Sequence, residues 1–157
     1  MKCPACGNQL QEMNVEDIAV NACENGCGGI WFDNFELKKF DEPHEPAGAL
    51  LQDIARDESI TVDHTQRRKC PKCDDLIMMR HFFSVKQQVE LDECPGCAGI
   101  WLDHGELETI RSLFESEQHK DQAAHEHFAQ MFDEQLEQMK DPGKLGTILP
   151  NFLNFLT

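Results

Sequence analysis

Positive charge is scarce in this chain of 157 residues: 14 Lys and Arg stand against 29 Asp and Glu, a formal net charge of −15 with histidines neutral. Extended contact with phosphate backbones needs clustered Lys and Arg, so direct nucleic-acid binding is not expected, and acidic membrane surfaces are disfavoured for the same reason. Long apolar runs are lacking too, none approaching the ~18 residues that read as a membrane span. The opening Met1-Lys2-Cys3-Pro4-Ala5-Cys6 has no apolar stretch behind a basic start, unlike a secretory leader, which sets the expectation of a cytoplasmic protein. Neither a glycine-rich phosphate loop nor an activated nucleophile stands out, so no catalytic residue and no enzymatic activity are expected. In a reducing compartment the eight cysteines point to metal or redox chemistry before a disulfide framework.

What the chain does have is an internal repeat. Residues 3–40 and 70–110 align and hold every cysteine. Each opens on a Cys-Pro-x-Cys knuckle, Cys3/Cys6 and Cys70/Cys73, and closes on a second pair, Cys23/Cys27 and Cys94/Cys97. Beyond the closing pairs, Gly28-Gly29-Ile30-Trp31-Phe32-Asp33-Asn34-Phe35-Glu36-Leu37 matches Ala98-Gly99-Ile100-Trp101-Leu102-Asp103-His104-Gly105-Glu106-Leu107 at six of ten positions. The chain therefore divides into a first module (1–40), a linker with a short helix around Leu50, Leu51 and Ile54 (41–69), a second module (70–110), and a helical extension with an apolar tail (111–157). In that order the four segments carry −3, −3, −5 and −4.

The spacing explains what the cysteines can do. Sixteen residues separate the knuckle from the closing pair in the first module and twenty in the second, enough for a hairpin. Two cysteines in a tight turn aim both sulfurs at one ion, and the hairpin brings the other pair opposite to complete a tetrahedron of four thiolates. A module of about 40 residues buries too little apolar surface to fold securely alone, and a metal cross-link is one of the usual remedies. Losing one ligand should unfold the local module.

The pattern Cys-Pro-x-Cys, hairpin, second cysteine pair, then Gly-Ile-Trp-Phe/Leu-Asp-x-x-Glu-Leu resembles the transcription factor IIB-type zinc ribbon family, in two tandem copies. The resemblance implies that all eight cysteines are zinc ligands, two Zn²⁺ per chain, that each module is a small antiparallel ribbon, and that Asp-x-x-Glu-Leu opens a helix. One departure is Cys23-Glu24-Asn25-Gly26-Cys27, with three intervening residues where the pattern has two. The fold class expected is small α+β: two tandem antiparallel zinc ribbons followed by a C-terminal helical segment.

Other residues read as structural. Asp33/Glu36 and Asp103/Glu106 have the spacing of a capping box. Trp31 and Trp101 are expected to pack over the metal-bound hairpins, and Arg67-Arg68-Lys69 with Lys72 reads as a solvated approach to the second knuckle. His104, His119, His125 and His127 read as solvated. Apolar residues at Leu107, Ile110, Leu113 and Phe114, then Phe128, Met131, Phe132, Leu136 and Met139, fit two helices with a weak point near Lys120-Asp121 and a stop at Asp141-Pro142-Gly143. Leu145, Ile148, Leu149, Phe152, Leu153 and Leu156 form an apolar tail that needs cover, by folding back, self-association or a protein partner. Function then reads as a non-enzymatic protein-interaction module. The alternatives are a rubredoxin-like iron electron-transfer protein and a transcription-associated factor contacting polymerase or nucleic acid.

Overall fold

The computed structural model describes residues 1–73 and 75–140, so the apolar tail and the stop at Asp141-Pro142-Gly143 lie outside the described residues. Chain order runs β1 (Gln11–Val15), β2 (Ile18–Ala22), β3 (Ile30–Phe32), a short 3₁₀ turn (Leu37–Lys39), α1 (Pro46–Leu50), β4 (Met79–Phe82), β5 (Glu90–Glu93), β6 (Ile100–Leu102), α2 (Glu106–Leu113) and α3 (Glu117–Lys140). The α+β class and the antiparallel ribbons expected from the sequence are present. No helix among the described residues is long and apolar enough to cross a membrane.

The two ribbons share one sheet. Its order is β1-β2-β3-β6-β5-β4, so the third strand of each repeat pairs with the third strand of the other. Register places Ile30 opposite Leu102, Trp31 opposite Trp101 and Phe32 opposite Ile100. Successive side chains of a strand point to opposite faces, and both faces of this central pair are covered, which is why Ile-Trp-Phe is apolar at every position. Ile30, Phe32 and Leu102 enter one core with Val20, Leu91, Leu107 and Ile110. Trp31 and Trp101 enter a second, with cysteines of both repeats.

Residues 41–69 carry a short helix, α1, which ends at Leu50 and so lies before Leu51 and Ile54 rather than around them, with Pro46 in its first turn, and parts of the segment are built into both cores. Ala47, Leu51 and Ile54 are buried in the first core, and Ile60 and Val62 pack against the second. The stretch also runs beside the first closing knuckle, where the Asn25 N–H donates to the Ala55 carbonyl at 2.7 Å and the Asp57 N–H to that of Gly26 at 2.8 Å.

The two Asp-x-x-Glu-Leu segments diverge. In the second repeat a helix follows, α2, burying Leu107, Ile110, Arg111 and Leu113. In the first the chain makes only the 3₁₀ turn Leu37–Lys39 and leaves it at Phe40. Pro43, at the place of Leu113, limits how far any helix could run here, since it cannot donate to a helical partner four residues back and disfavours helical backbone at Glu42. The break between the last two helices also differs from the expected Lys120-Asp121. It falls at Phe114, which is extended at φ −138° and ψ 142°. The Ser116 hydroxyl then accepts from the His119 N–H at 3.4 Å and opens α3, which runs through Lys120 and Asp121.

By compactness the chain divides into Met1–His119 and Lys120–Thr157. Among the described residues the second unit is the body of α3, on which Phe128, Met131, Phe132 and Leu136 are 55%, 43%, 64% and 52% exposed.

Candidate metal centres

Each knuckle is drawn around one of its own sulfurs. The N–H groups of Ala5 and Cys6 point at Cys3 Sγ, both at 3.4 Å. Those of Lys72 and Cys73 point at Cys70 Sγ at 3.4 and 3.1 Å, and that of Gly96 at Cys94 Sγ at 3.4 Å. Such donors favour thiolate over thiol. The hairpins β1–β2 and β4–β5 then carry the closing pairs opposite the knuckles.

Cys3, Cys6, Cys23 and Cys27 converge, as do Cys70, Cys73, Cys94 and Cys97, with all sulfurs of a set within 4.8 Å of one another. The sulfurs lie 3.5 Å apart for Cys3–Cys27, 3.5 Å for Cys6–Cys23 and 3.8 Å for Cys70–Cys97. A disulfide would bring two sulfurs to about 2.0 Å, and all eight cysteines are free. A regular tetrahedron with metal–sulfur bonds of about 2.3 Å has edges of about 3.8 Å. The residues therefore fit a tetrahedral ion at each centre, and the longer Cys23–Cys27 spacing is accommodated by left-handed backbone at Asn25, φ 54°.

Proton affinities agree with this. The hydrogen bond from Cys27 pulls Cys3 down to about 5 and drives Cys27 itself upward, while burial pushes Cys23 up to about 12. In the second set burial pushes Cys70 up to about 12, and the Cys97 sulfur raises Cys73. Burial would raise Cys94 as well, but the N–H groups of Cys97 and Gly96 and the neighbouring sulfurs outweigh it and hold the thiol at about 7. Four crowded sulfurs cannot all ionise on their own, and a divalent cation among them removes the conflict.

Both repeats match a known family model, one described as a transcription factor zinc-finger of the TFIIB zinc-ribbon type, over residues 2–42 and 69–112, more than half the chain. The chain belongs to the transcription factor zinc-finger family. No curated protein and no solved structure matches it.

In this pair of zinc-finger repeats the tryptophans cross over. Both are buried, but each lies on the closing knuckle of the other repeat: a Cβ on Gly99 would fall 2.1 Å from Trp31 Cζ2, and one on Gly29 2.2 Å from Trp101 Cζ2. The opening knuckles also flank a common cleft of about 600 Å³, lined by Lys2, Cys3 and Pro4 from one repeat and Lys69, Cys70 and Pro71 from the other.

The capping boxes are half formed. Glu36 and Glu106 reach back to the Asp33 and Asp103 N–H groups, both at 2.7 Å. The aspartate side chains turn elsewhere, Asp33 accepting from the Trp31 indole at 3.1 Å and Asp103 from that of Trp101 at 2.9 Å. Asp33 also holds Lys72 of the second knuckle at 2.8 Å, which ties the repeats together.

Asp103 anchors a group that the sequence did not announce. Arg68, expected in solvent, is 5% exposed and donates to Asp103 at 2.8 and 2.7 Å and to Asp92 at 3.3 Å. Arg80 grips Asp92 from the other side at 3.2 Å, and His64 contacts Asp103 at 2.8 Å. Burial would raise Asp103, yet the Arg68 guanidinium holds it below the ordinary carboxylate range, whereas burial pushes Glu106 up to about 7. The one available signal was position: Asp92 occupies the place of Asn21 in the first repeat, a charge where a buried strand has none. His104 lies against Gly28, next to Cys27, where a Cβ would meet its Nδ1 at 2.8 Å.

Proposed function

We propose that the protein is a non-enzymatic zinc protein of the cytoplasm whose two ions fix a scaffold for binding another protein molecule. Cys3, Cys6, Cys23 and Cys27 hold one zinc ion, and Cys70, Cys73, Cys94 and Cys97 the other. The observation that carries this is the closure of each centre by four sulfurs at tetrahedral spacing. Four thiolates leave no coordination position for water or substrate, which suits a structural ion and gives metal catalysis no starting point. Thiolate donors and the family suit zinc, and free cysteines suit a reducing compartment. Two such centres add four negative charges, taking −15 to −19, so a protein is a better partner than a nucleic acid. The surface offered is the exposed apolar residues Phe128, Met131, Phe132 and Leu136 on α3, the kind of side chain that interaction sites present.

Elemental analysis of untagged protein purified without added metal tests the first part, with two zinc ions per chain expected. Iron with visible absorbance, or a disulfide-bonded chain without metal, would overturn it. Cross-linking in cells tests the second: α3 peptides joined to another protein molecule support the binding role, and links confined to one chain oppose it.

A further inference from the structure

The two metal centres are built alike but covered differently, and each repeat serves as a control for the other. Residues 55–57 lie along the first closing knuckle. The Asn25 N–H donates to the Ala55 carbonyl, the Asp57 N–H to that of Gly26, and Gly26 forms a parallel bridge with Arg56. Ile60 and Val62 pack against the same cluster of cysteines, and His104 lies over Gly28. Gly26, Cys27 and Gly28 are buried beneath this cover.

The second closing knuckle has no such cover among the described residues. Its backbone hydrogen bonds stay within its own turn, the Cys94 N–H donating to the Gly99 carbonyl at 2.9 Å and the Ala98 N–H to that of Cys94 at 2.8 Å. A Cβ on Gly96 would meet Leu76, itself 41% exposed, and after it the sulfurs of Cys73 and Cys94 at 3.6 and 3.7 Å. Pro95 and Gly96 are exposed, and Cys97 and Ala98 are half-buried. The second set therefore has two half-buried ligands, Cys73 and Cys97, whereas Cys6 alone is half-buried in the first. A disulfide needs two sulfurs that a reagent and each other can reach. Cys73 and Cys97, within 4.8 Å of one another, meet that need, and no pair in the first set does.

Two further differences favour chemistry at the second centre. Lys72 stands between Cys70 and Cys73 where the first knuckle has Ala5. Asp33 chiefly, and the Cys97 sulfur with it, strengthen the hold of Lys72 on its proton, which places an ammonium beside a partly exposed thiolate. That is the setting of reactive cysteines. Ala98 takes φ 55° where the first repeat has Gly28 at φ 79°. Left-handed backbone disfavours a residue with a side chain, so the second closing turn holds strain that opening it releases.

We propose that Cys73 and Cys97 are an oxidation site: hydrogen peroxide joins them in a disulfide and the zinc ion of the second centre is expelled. The proposal rests on the reading that each set holds zinc and names the reagent to which one set responds. One thiolate of the pair attacks a peroxide oxygen, an S–O bond forms, the O–O bond breaks and hydroxide leaves. The other thiolate attacks the oxidised sulfur, the S–S bond forms, the S–O bond breaks and a second hydroxide leaves. Each sulfur gives up one electron, peroxide takes both, and two protons from solvent complete two waters. Cys70 and Cys94 remain as ligands, half of the set that a structural site requires.

Peroxide treatment of the full, zinc-loaded chain tests it. Zinc content is measured first, so that a chain without zinc is recognised as a failure of the zinc reading before this one is tried. Hydrogen peroxide is then added beside a chromophoric zinc indicator, and catalase stops the reaction before one ion per chain has left. The chain is denatured, alkylated and mapped by peptide mass spectrometry. The disulfide should join Cys73 to Cys97, Cys3, Cys6, Cys23 and Cys27 should be recovered alkylated, and a dithiol with added zinc should restore the second centre. Lys72→Ala, which carries the residue of the first repeat, should release zinc a few-fold more slowly. Disulfides in the first set or shared evenly between the sets, oxidation of Cys73 and Cys97 without a bond between them, or no release of zinc would overturn the proposal.

Discussion

Trp31 and Trp101 stand opposite each other across the β3–β6 pair, and each indole covers the glycine behind the other repeat's closing cysteines. The first repeat's tryptophan therefore roofs the second metal centre, and the second's roofs the first. Each indole N–H is held by an aspartate two residues on, Asp33 or Asp103.

This crossing couples the two centres. Sequence alone suggests that loss of one ligand unfolds one module, but the shared cluster of cysteines and tryptophans carries the damage further. Cys3→Ser should lower zinc affinity at the distant Cys70 set as well, and heating should show a single transition for both tryptophans. Fluorescence melting with parallel zinc release checks this; two separate transitions would show independent ribbons.

Gly29→Ala and Gly99→Ala should each destabilise the zinc-loaded protein by about 1–3 kcal/mol, the usual cost of overpacking a filled core. The added methyl would lie 2.2 or 2.1 Å from a buried indole that has nowhere to move. Denaturant unfolding measures the cost, and an unchanged midpoint would mean that the indoles are not fixed.

Arg111 makes an equally tight contact. It is 6% exposed and donates to the carbonyls of Phe40 at 2.6 Å, Pro43 at 3.2 Å and Glu45 at 2.8 Å, joining α2 to the segment after the first ribbon. A Cβ on Gly48 would collide with its Nη1 and sit 2.6 Å from the Phe40 carbonyl. Gly48→Ala should cost about 1–3 kcal/mol, and Arg111→Lys a similar amount, because an ammonium cannot span three carbonyls as a guanidinium does. Thermal melts of the zinc-loaded variants decide the point.

Glu106 makes stability depend on pH. Burial raises its folded value from 4.5 to about 7, so the folded protein holds this proton more tightly than the unfolded chain. Its contribution is fully present below 4.5 and is lost as pH rises through 7. Glu106→Gln keeps an acceptor for the Asp103 N–H and removes the charge. Relative to wild type the variant should gain about 2 kcal/mol more at pH 8 than at pH 5.5. Denaturant midpoints between about pH 5.5 and 8 would show it; a difference independent of pH would assign the effect to packing.

Phe35 is 72% exposed at φ 67°, where the second repeat has Gly105 at φ 85°. Left-handed backbone costs a residue with a side chain about 1–2 kcal/mol, partly offset by the freedom that glycine loses on folding. Phe35→Gly should therefore stabilise the protein by about 0.5–1 kcal/mol, and Gly105→Ala should destabilise it by about as much. Paired denaturation curves test both signs.

The sequence by itself determined the local chemistry. Eight cysteines at short spacing, prolines in the knuckles, hairpin-length separations and the Ile-Trp-Phe/Leu strands specify two four-sulfur ribbons, because turn geometry and the two-residue period of a strand act within a few residues. The backward reach of Glu36 and Glu106 was legible for the same reason. Tertiary structure alone decided how the copies meet. Pairing of β3 with β6, exchange of the tryptophans and burial of Ala47, Leu51 and Ile54 depend on which faces come together across dozens of residues, and neither repeat carries that information within itself. Arg68 shows the limit most plainly: beside Arg67 and Lys69 it reads as a solvated cation, and only the folded chain brings Asp92 and Asp103 to it.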